Sequence, residues 1–298
     1  MTTTGNRFVS GDTFRGLCDQ IFWSNARPEE NPTFRHGDLV FCKIDEAWRL
    51  LRAARRQRSR IVLVTGEGDL PVSPRLWAHK PPQVAEWFGT NHFVSDPCAH
   101  AIPLGIGNAG DPKALSAEDL ADLPASTSGR KGLLYANFSS HSNPAVREPL
   151  LEWLQAPEQA WVTREAHGST GGKQAYLARL LSHQFVLCPP GNGEDTHRMW
   201  EALYAGAIPV IRRSPAMEAF TGLPLLVVDD LREISQELLR NAFAQTAAKS
   251  RSMLEVEHWR GLLTAARERT LRLPRVNLME WLLAWAKELA VVAGKRSR

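Results

Sequence analysis

The chain has 298 residues, 43% hydrophobic and 23% charged, with 36 Lys and Arg against 32 Asp and Glu for a formal charge of +4. This composition fits a folded protein of one large or two modest domains and excludes wholesale disorder. The small positive excess suits an anionic ligand but does not by itself mark a nucleic-acid binder.

Cys18, Cys42, Cys98 and Cys188 are widely spaced and contain no Cys-x-x-Cys pair, so reduced thiols are expected, not disulfides or a zinc site. The first residues lack the apolar core of a signal peptide, and no run reaches the roughly 18 apolar residues of a membrane span. The expectation is a cytoplasmic chain without a transmembrane segment, at most peripheral to a membrane.

In chain order, residues 39–42 (Leu-Val-Phe-Cys) form a short apolar run, 44–57 have helical spacing, and 61–64 (Ile-Val-Leu-Val) are β-rich. Strand, helix and buried strand in succession predict a βαβ unit with a parallel sheet. Shorter runs follow at 87–88 and 101–104. The stretch 108–131 is polar and small, and its end near 125–131 marks the expected boundary between lobes 1–128 and 129–298.

Alternation then restarts, with strands predicted at 133–138, 161–163, 185–188, 208–211 and 225–228. Helices are predicted at 143–154, 174–182, 196–204 and 231–243. Two such runs predict an α/β fold of two doubly wound, Rossmann-like lobes facing a cleft, with ligands outside the carboxyl ends of the strands. In 277–292, Leu278, Trp281, Leu282, Trp285, Leu289 and Val292 recur at i, i+3, i+4, i+7 spacing. A terminal helix packed across the lobes is favoured over a membrane-surface helix.

The chemistry concentrates in residues 185–211, Phe-Val-Leu-Cys-Pro-Pro-Gly-Asn-Gly-Glu-Asp-Thr-His-Arg-Met-Trp-Glu-Ala-Leu-Tyr-Ala-Gly-Ala-Ile-Pro-Val-Ile. A buried strand ends at Cys188, a tight loop carries Gly191, Asn192 and Gly193, and Asp195 or Thr196 caps the next helix. Such a junction presents free backbone N–H groups to an anion. Arg198 in the first helical turn opposes the macrodipole, which makes sense if a phosphate group sits there and the guanidinium forks onto it. Glu201, one turn on, can accept from a ribose diol, and His197 can polarise a phosphate oxygen or simply cap. Taken alone, Arg198 and Glu201 read as a surface ion pair; the glycine loop between buried strands favours a diphosphate site.

This segment resembles the C-terminal signature of exostosin-like glycosyltransferases, which have the two-lobed GT-B fold, and is more distantly similar to the donor-binding segment of fucosyltransferases. The carriers are Pro189-x-Gly191, Arg198, Glu201 and Ala205-Gly-Ala-Ile-Pro-Val210. A second element, residues 133–147 (Leu-Leu-Tyr-Ala-Asn-Phe-Ser-Ser-His-Ser-Asn-Pro-Ala-Val-Arg), also matches. The resemblance implies a glycosyltransferase (a hexosyl- or pentosyltransferase) moving sugar from a nucleoside-diphosphate sugar to a glycan or other hydroxyl acceptor, without metal or cofactor. It implies Arg198 and Arg147 on the diphosphate, Glu201 on the ribose, and Ser139 and Asn143 shaping the same pocket.

An acceptor hydroxyl needs a base, and Glu67 and Asp69, just past the 61–64 strand, are the candidates. His92, Asp96 and His100 are weaker ones. Asp229 and Asp230 read as a helix cap and first-turn acid, not as a metal-binding Asp pair. A dinucleotide oxidoreductase is disfavoured because Gly191-x-Gly193 has Thr196 where the third glycine belongs. The arginines at 52, 55, 56, 58 and 60 read as a solvated face, though they can also steer an anionic acceptor such as a modified nucleic acid. The competing reading is a non-catalytic nucleotide- or sugar-binding protein of the same fold.

Overall fold

The computed structural model describes residues 7–23, 32–124, 129–166, 171–283 and 286. The first helix, α1 (Gly11–Leu17), leads through β1 (Gln20–Phe22) to β2 (Leu39–Lys43), α2 (Ala47–Arg55) and β3 (Ile61–Gly66). Next come α3 (Pro74–Trp77), β4 (Val84–Gly89) and β5 (Ala99–Ala101). The second series is β6 (Gly132–Ala136), α4 (Pro144–Gln155), β7 (Thr163–Arg164), α5 (Gly172–Ser182), β8 (His183–Leu187) and α6 (His197–Tyr204). It continues with β9 (Ile208–Arg212), β10 (Leu226–Val228), α7 (Gln236–Ala247) and α8 (Val256–Arg272).

The strands form two five-stranded sheets, every pair parallel, as the α/β expectation requires. The first sheet runs β1-β2-β3-β4-β5 without reversal. All six residues of β3 are buried, which explains why Ile-Val-Leu-Val is continuously apolar instead of alternating. Ala47, Leu50, Leu51 and Ala54 of α2 pack with Val40, Leu63 and Trp87. Glu86 of β4 receives Arg269 of α8 in a two-bond fork at 2.7 Å, with His100 at 2.9 Å.

The second sheet runs β10-β9-β8-β6-β7. Its first strand, β6, lies between its second and third, so the order reverses between β6 and β8. In open α/β sheets such a switch point opens a crevice at the carboxyl ends of the two strands. The loops leaving β6 and β8 are the two segments that the sequence singles out. The core beneath them includes Leu134, Ala136, Phe185, Leu187, Ile208 and Val210, with Leu150 and Leu154 of α4.

The compact units do not divide at the polar stretch 125–131, part of which lies outside the described residues. One unit comprises Met1–Thr13 with Pro103–His258, the other Phe14–Ile102 with Trp259–Arg298. The physical reason is packing: Ile106 N–H bonds Val9 O at 3.0 Å, Val9 N–H bonds the Tyr204 hydroxyl at 2.8 Å, and residues 104–115 bond α6. Polarity suggested a boundary there, but these contacts decide where a unit ends.

Smaller departures have local causes. The helix expected over 231–243 is split: Asp230 caps a short 3-10 turn at Leu231–Glu233, then Ser235 caps α7 by accepting from Leu238 N–H at 3.1 Å. Asp229 pairs with Arg213 at 2.7 Å. The arginine cluster is a solvated face only in part: Arg52, Arg56 and Arg58 are exposed, while three of the five are tied to backbone. Arg55 donates to His79 O, Arg58 to Val276 O, and Arg60 to Pro274 O and Pro82 O, so these cations are struts between backbone segments. No helix among the described residues is long and apolar enough to cross a membrane. All four cysteines are free thiols.

Candidate functional site

The loop from Cys188 to Thr196 crosses the mouth of the β6–β8 switch point and is held mainly by one buried side chain. Arg147, on the second turn of α4, donates from Nε to Pro190 O at 2.8 Å and from Nη2 to Pro189 O at 3.2 Å. Its Nη1 reaches Ser139 O at 2.8 Å and the Ser142 hydroxyl at 2.6 Å. Asn143 adds a bond from Nδ2 to Gly191 O at 3.0 Å. Four of the five guanidinium N–H groups are thus engaged. Arg147 ties the β6 loop to the β8 loop, which differs from a group free to fork onto a diphosphate. Burial first, and the Arg198 charge second, bring its guanidinium down to about 10.

A Cβ at Gly191 would sit 3.2 Å from Arg147 Nη2, so a side chain there would press on the guanidinium that holds the loop. Ser139, expected to shape the pocket, offers its carbonyl to Arg147 and its hydroxyl to His141 Nδ1 at 2.8 Å. Gly191 and Gly193 are half-buried, and Asn192 is exposed.

Three polar residues of the signature turn away from the loop and hold the backbone of segment 104–115. Asp195 accepts from Leu104 N–H and from Trp200 Nε1, both at 2.7 Å. It is 3% exposed, and burial raises its carboxyl to about 6 against the pull of those bonds. His197 donates from Nδ1 to Gly105 O at 2.7 Å. Because a carbonyl can only accept, Nδ1 carries a proton in this bond, and Nε2 points away from it. Glu201, also 3% exposed, accepts from Leu115 N–H at 2.7 Å and from the Tyr176 hydroxyl at 2.8 Å. Both of its oxygens therefore carry protein bonds, a fastening that sequence spacing does not reveal.

Arg198 is different. Among the described residues its guanidinium has no hydrogen-bond or ion-pair partner, although its Nε is buried. Thr196, the N-cap of α6, makes no side-chain cap bond, so no hydroxyl occupies the first-turn amides. Arg198 and Arg147 are close enough for the charge of one to depress the other. A buried guanidinium nitrogen without an acceptor is costly, which makes this locus one that an anion would complete. Cys188, at the end of β8, is pushed up to about 12 by burial and stays a protonated thiol.

Two depressions in this unit have neither Arg198 nor a residue of the 188–196 loop in their lining. One of about 580 Å³ is lined by Phe138, Ser139, His141, Leu151, Arg164 and Glu165, among others. The other, about 240 Å³, is lined by Val146, Pro149, Arg212, Asp229, Asp230 and Arg232 with their neighbours. The proposed bases lie in the other unit. Glu67 follows β3 in a left-handed conformation (φ 60°), with Arg15 at 3.9 Å, and Asp69 is exposed. His92, a weaker candidate, is buried; it accepts from Val94 N–H on Nδ1, and burial lowers it to about 4. His100 is paired with Glu86 at 2.9 Å.

No family model matches the chain, and no curated protein matches it. Solved structures do align with it at low superposition. Anabaena HepE, in complex with UDP and glucose, aligns at 12% identity and a TM-score of 0.37 over 85% of this chain and 77% of that one. A UDP-forming α,α-trehalose-phosphate synthase from Burkholderia vietnamiensis aligns at 12% identity and a TM-score of 0.39, covering 90% and 73% of the two chains.

Proposed function

We propose that the chain transfers a sugar from a nucleoside-diphosphate sugar to a hydroxyl acceptor, without a metal ion. The observation that carries this is Arg198: a guanidinium with a buried, unpartnered Nε at an uncapped helix N-terminus, beside a sheet switch point. A glycosyl transfer needs the negative charge on the departing diphosphate neutralised, and a cation with oriented amides can supply that. Arg198 and the amides of His197 and Arg198 would receive the diphosphate, with His197 Nε2 beside it. Arg147, Asn143 and Ser139 would hold the loop in place. Glu67 or Asp69 would take the proton from the acceptor hydroxyl as the sugar is transferred. The sequence resemblance to exostosin-like enzymes of the GT-B fold supports the same reading.

The test is calorimetric titration with a panel of nucleoside diphosphates. The wild-type chain should bind at least one, and Arg198→Ala should weaken binding by roughly 10- to 100-fold, the loss expected for a charge-assisted bond, without lowering the melting point. Unchanged affinity in Arg198→Ala would contradict the assignment. Binding without transfer to any hydroxyl acceptor would leave the non-catalytic reading in its place.

A further inference from the structure

The larger of the two depressions lies where a parallel sheet receives its ligands. It holds about 580 Å³ and is bounded by α4 and by the residues that follow β6 and β7, at the carboxyl ends of those strands. Small-molecule sites have volumes of about 300–1,000 Å³. Phe138, Leu151 and Leu154 supply an apolar wall, which suits the faces of a flat ring.

Two charged residues stand side by side at the rim, and only one is engaged within the protein. Glu165 accepts from the Tyr135 hydroxyl at 2.8 Å on one oxygen and from Arg179 Nε at 2.6 Å on the other. Arg164, exposed at the end of β7, has no hydrogen bond or ion pair to another described residue. Its guanidinium offers donors only, in a fork that fits two neighbouring acceptors. Among nucleobases, guanine presents such a pair at O6 and N7. Adenine sets its N6 amino donor beside N7, cytosine presents an N4 donor, and a uracil-type edge presents a single carbonyl.

One side chain joins this depression to the anion locus. Ser139, in the lining, gives its carbonyl to Arg147 Nη1 at 2.8 Å. The same guanidinium holds Pro190 O at 2.8 Å and Pro189 O at 3.2 Å in the loop before α6. Its Cζ also stands 5.8 Å from the centre of the Phe138 ring. Arg147 therefore bridges a flat-walled depression and the loop that leads to Arg198. We infer that this depression takes the nucleobase of the diphosphate held at Arg198, and that Arg164 selects guanine. This rests on the proposed nucleotide-sugar reading and adds the identity of the base.

Calorimetric titration of the full chain with GDP, UDP, ADP and inorganic pyrophosphate tests it. GDP should bind the wild type roughly tenfold or more tighter than UDP or ADP, the discrimination that a bidentate arginine–guanine pair supplies. Arg164→Ala should remove that margin. Arg164→Lys keeps the charge but not the fork, and should lose it too. Pyrophosphate has no base, so its affinity should be equal in wild type and Arg164→Ala. UDP or ADP bound as tightly as GDP, or a preference for GDP that survives in Arg164→Ala, overturns the inference. Pyrophosphate binding that depends on Arg198, with no preference among the bases, removes this inference and leaves the anion site standing. Failure of every probe to bind removes both.

Discussion

The backbone N–H of Leu115 donates to Glu201 Oε1 at 2.7 Å, joining residues 86 positions apart in a buried contact. The hydroxyl of Tyr176 holds the other oxygen. The carboxylate that looked in sequence like a ribose acceptor is thus a fastening point between α6 and segment 104–115.

That arrangement distinguishes two substitutions. Glu201→Ala strands a buried N–H and a partly buried hydroxyl and should cost about 2–6 kcal/mol, at roughly 1–3 per unsatisfied group. Glu201→Gln keeps an oxygen for Leu115 and offers an amide N–H that the Tyr176 hydroxyl can accept, so it should cost less than about 1 kcal/mol. Urea unfolding of the two variants checks this. Equal losses would mean that the negative charge, and not the bonding pattern, is what matters.

Asp195 should leave a signature in the pH dependence of stability. Its folded carboxyl lies at about 6, above its ordinary value of 3.8, mainly because it is buried. The folded state therefore binds this proton more readily than the unfolded state. The associated stability is fully present below about 3.8 and is lost as pH rises through about 6, an effect on the order of 3 kcal/mol. Melting curves between pH 4 and 7 should show Asp195→Asn lacking that decline relative to wild type. Parallel profiles would place the carboxyl's titration elsewhere.

The two arginines should behave oppositely in thermal unfolding. Arg147→Ala removes four bonds to the two loops and should cost about 2–4 kcal/mol. Arg198→Ala removes an unpartnered buried nitrogen and a like charge near Arg147, so the unliganded chain should keep its melting point or gain about 2–4 °C. A large drop in Arg198→Ala would show that its guanidinium already has a structural task.

Gly105 should tolerate no side chain. Its φ is +74°, and a Cβ would collide with the carbonyl of Val9 where the N-terminal residues bridge to Ile106. Gly105→Ala should destabilise by about 3 kcal/mol or more and also loosen the acceptor of His197 Nδ1. Comparing its unfolding midpoint with that of Gly110→Ala, where φ is +75° but nothing lies within 4 Å, separates collision from backbone strain.

Much of the secondary structure was legible because local rules settle it. Pro144 after Asn143 opens α4, Gly206 at φ 81° follows the end of the helix expected over 196–204, and the continuous apolar runs at 61–64 and 185–187 become strands buried on both faces. The apolar run at 101–104 yields only the end of β5 at Ala99–Ala101, since its later residues leave the sheet and Leu104 reaches Asp195. α8 and the N-terminal α1 and β1 gave no signal strong enough to be named in advance.

By itself, the sequence determined the α/β alternation, the glycine loop ahead of a helix and an arginine in that helix's first turn, because each depends on neighbours within a few positions. Only the tertiary structure decided which signature residues are bonded within the protein itself. Asp195, His197 and Glu201 are turned to segment 104–115 and Arg147 to the loops, while among the described residues Arg198 Nε has no hydrogen-bond partner. The physical reason is that a hydrogen bond is satisfied by whatever the fold brings within about 3 Å, and partners up to 92 residues away leave no periodicity in the chain to read.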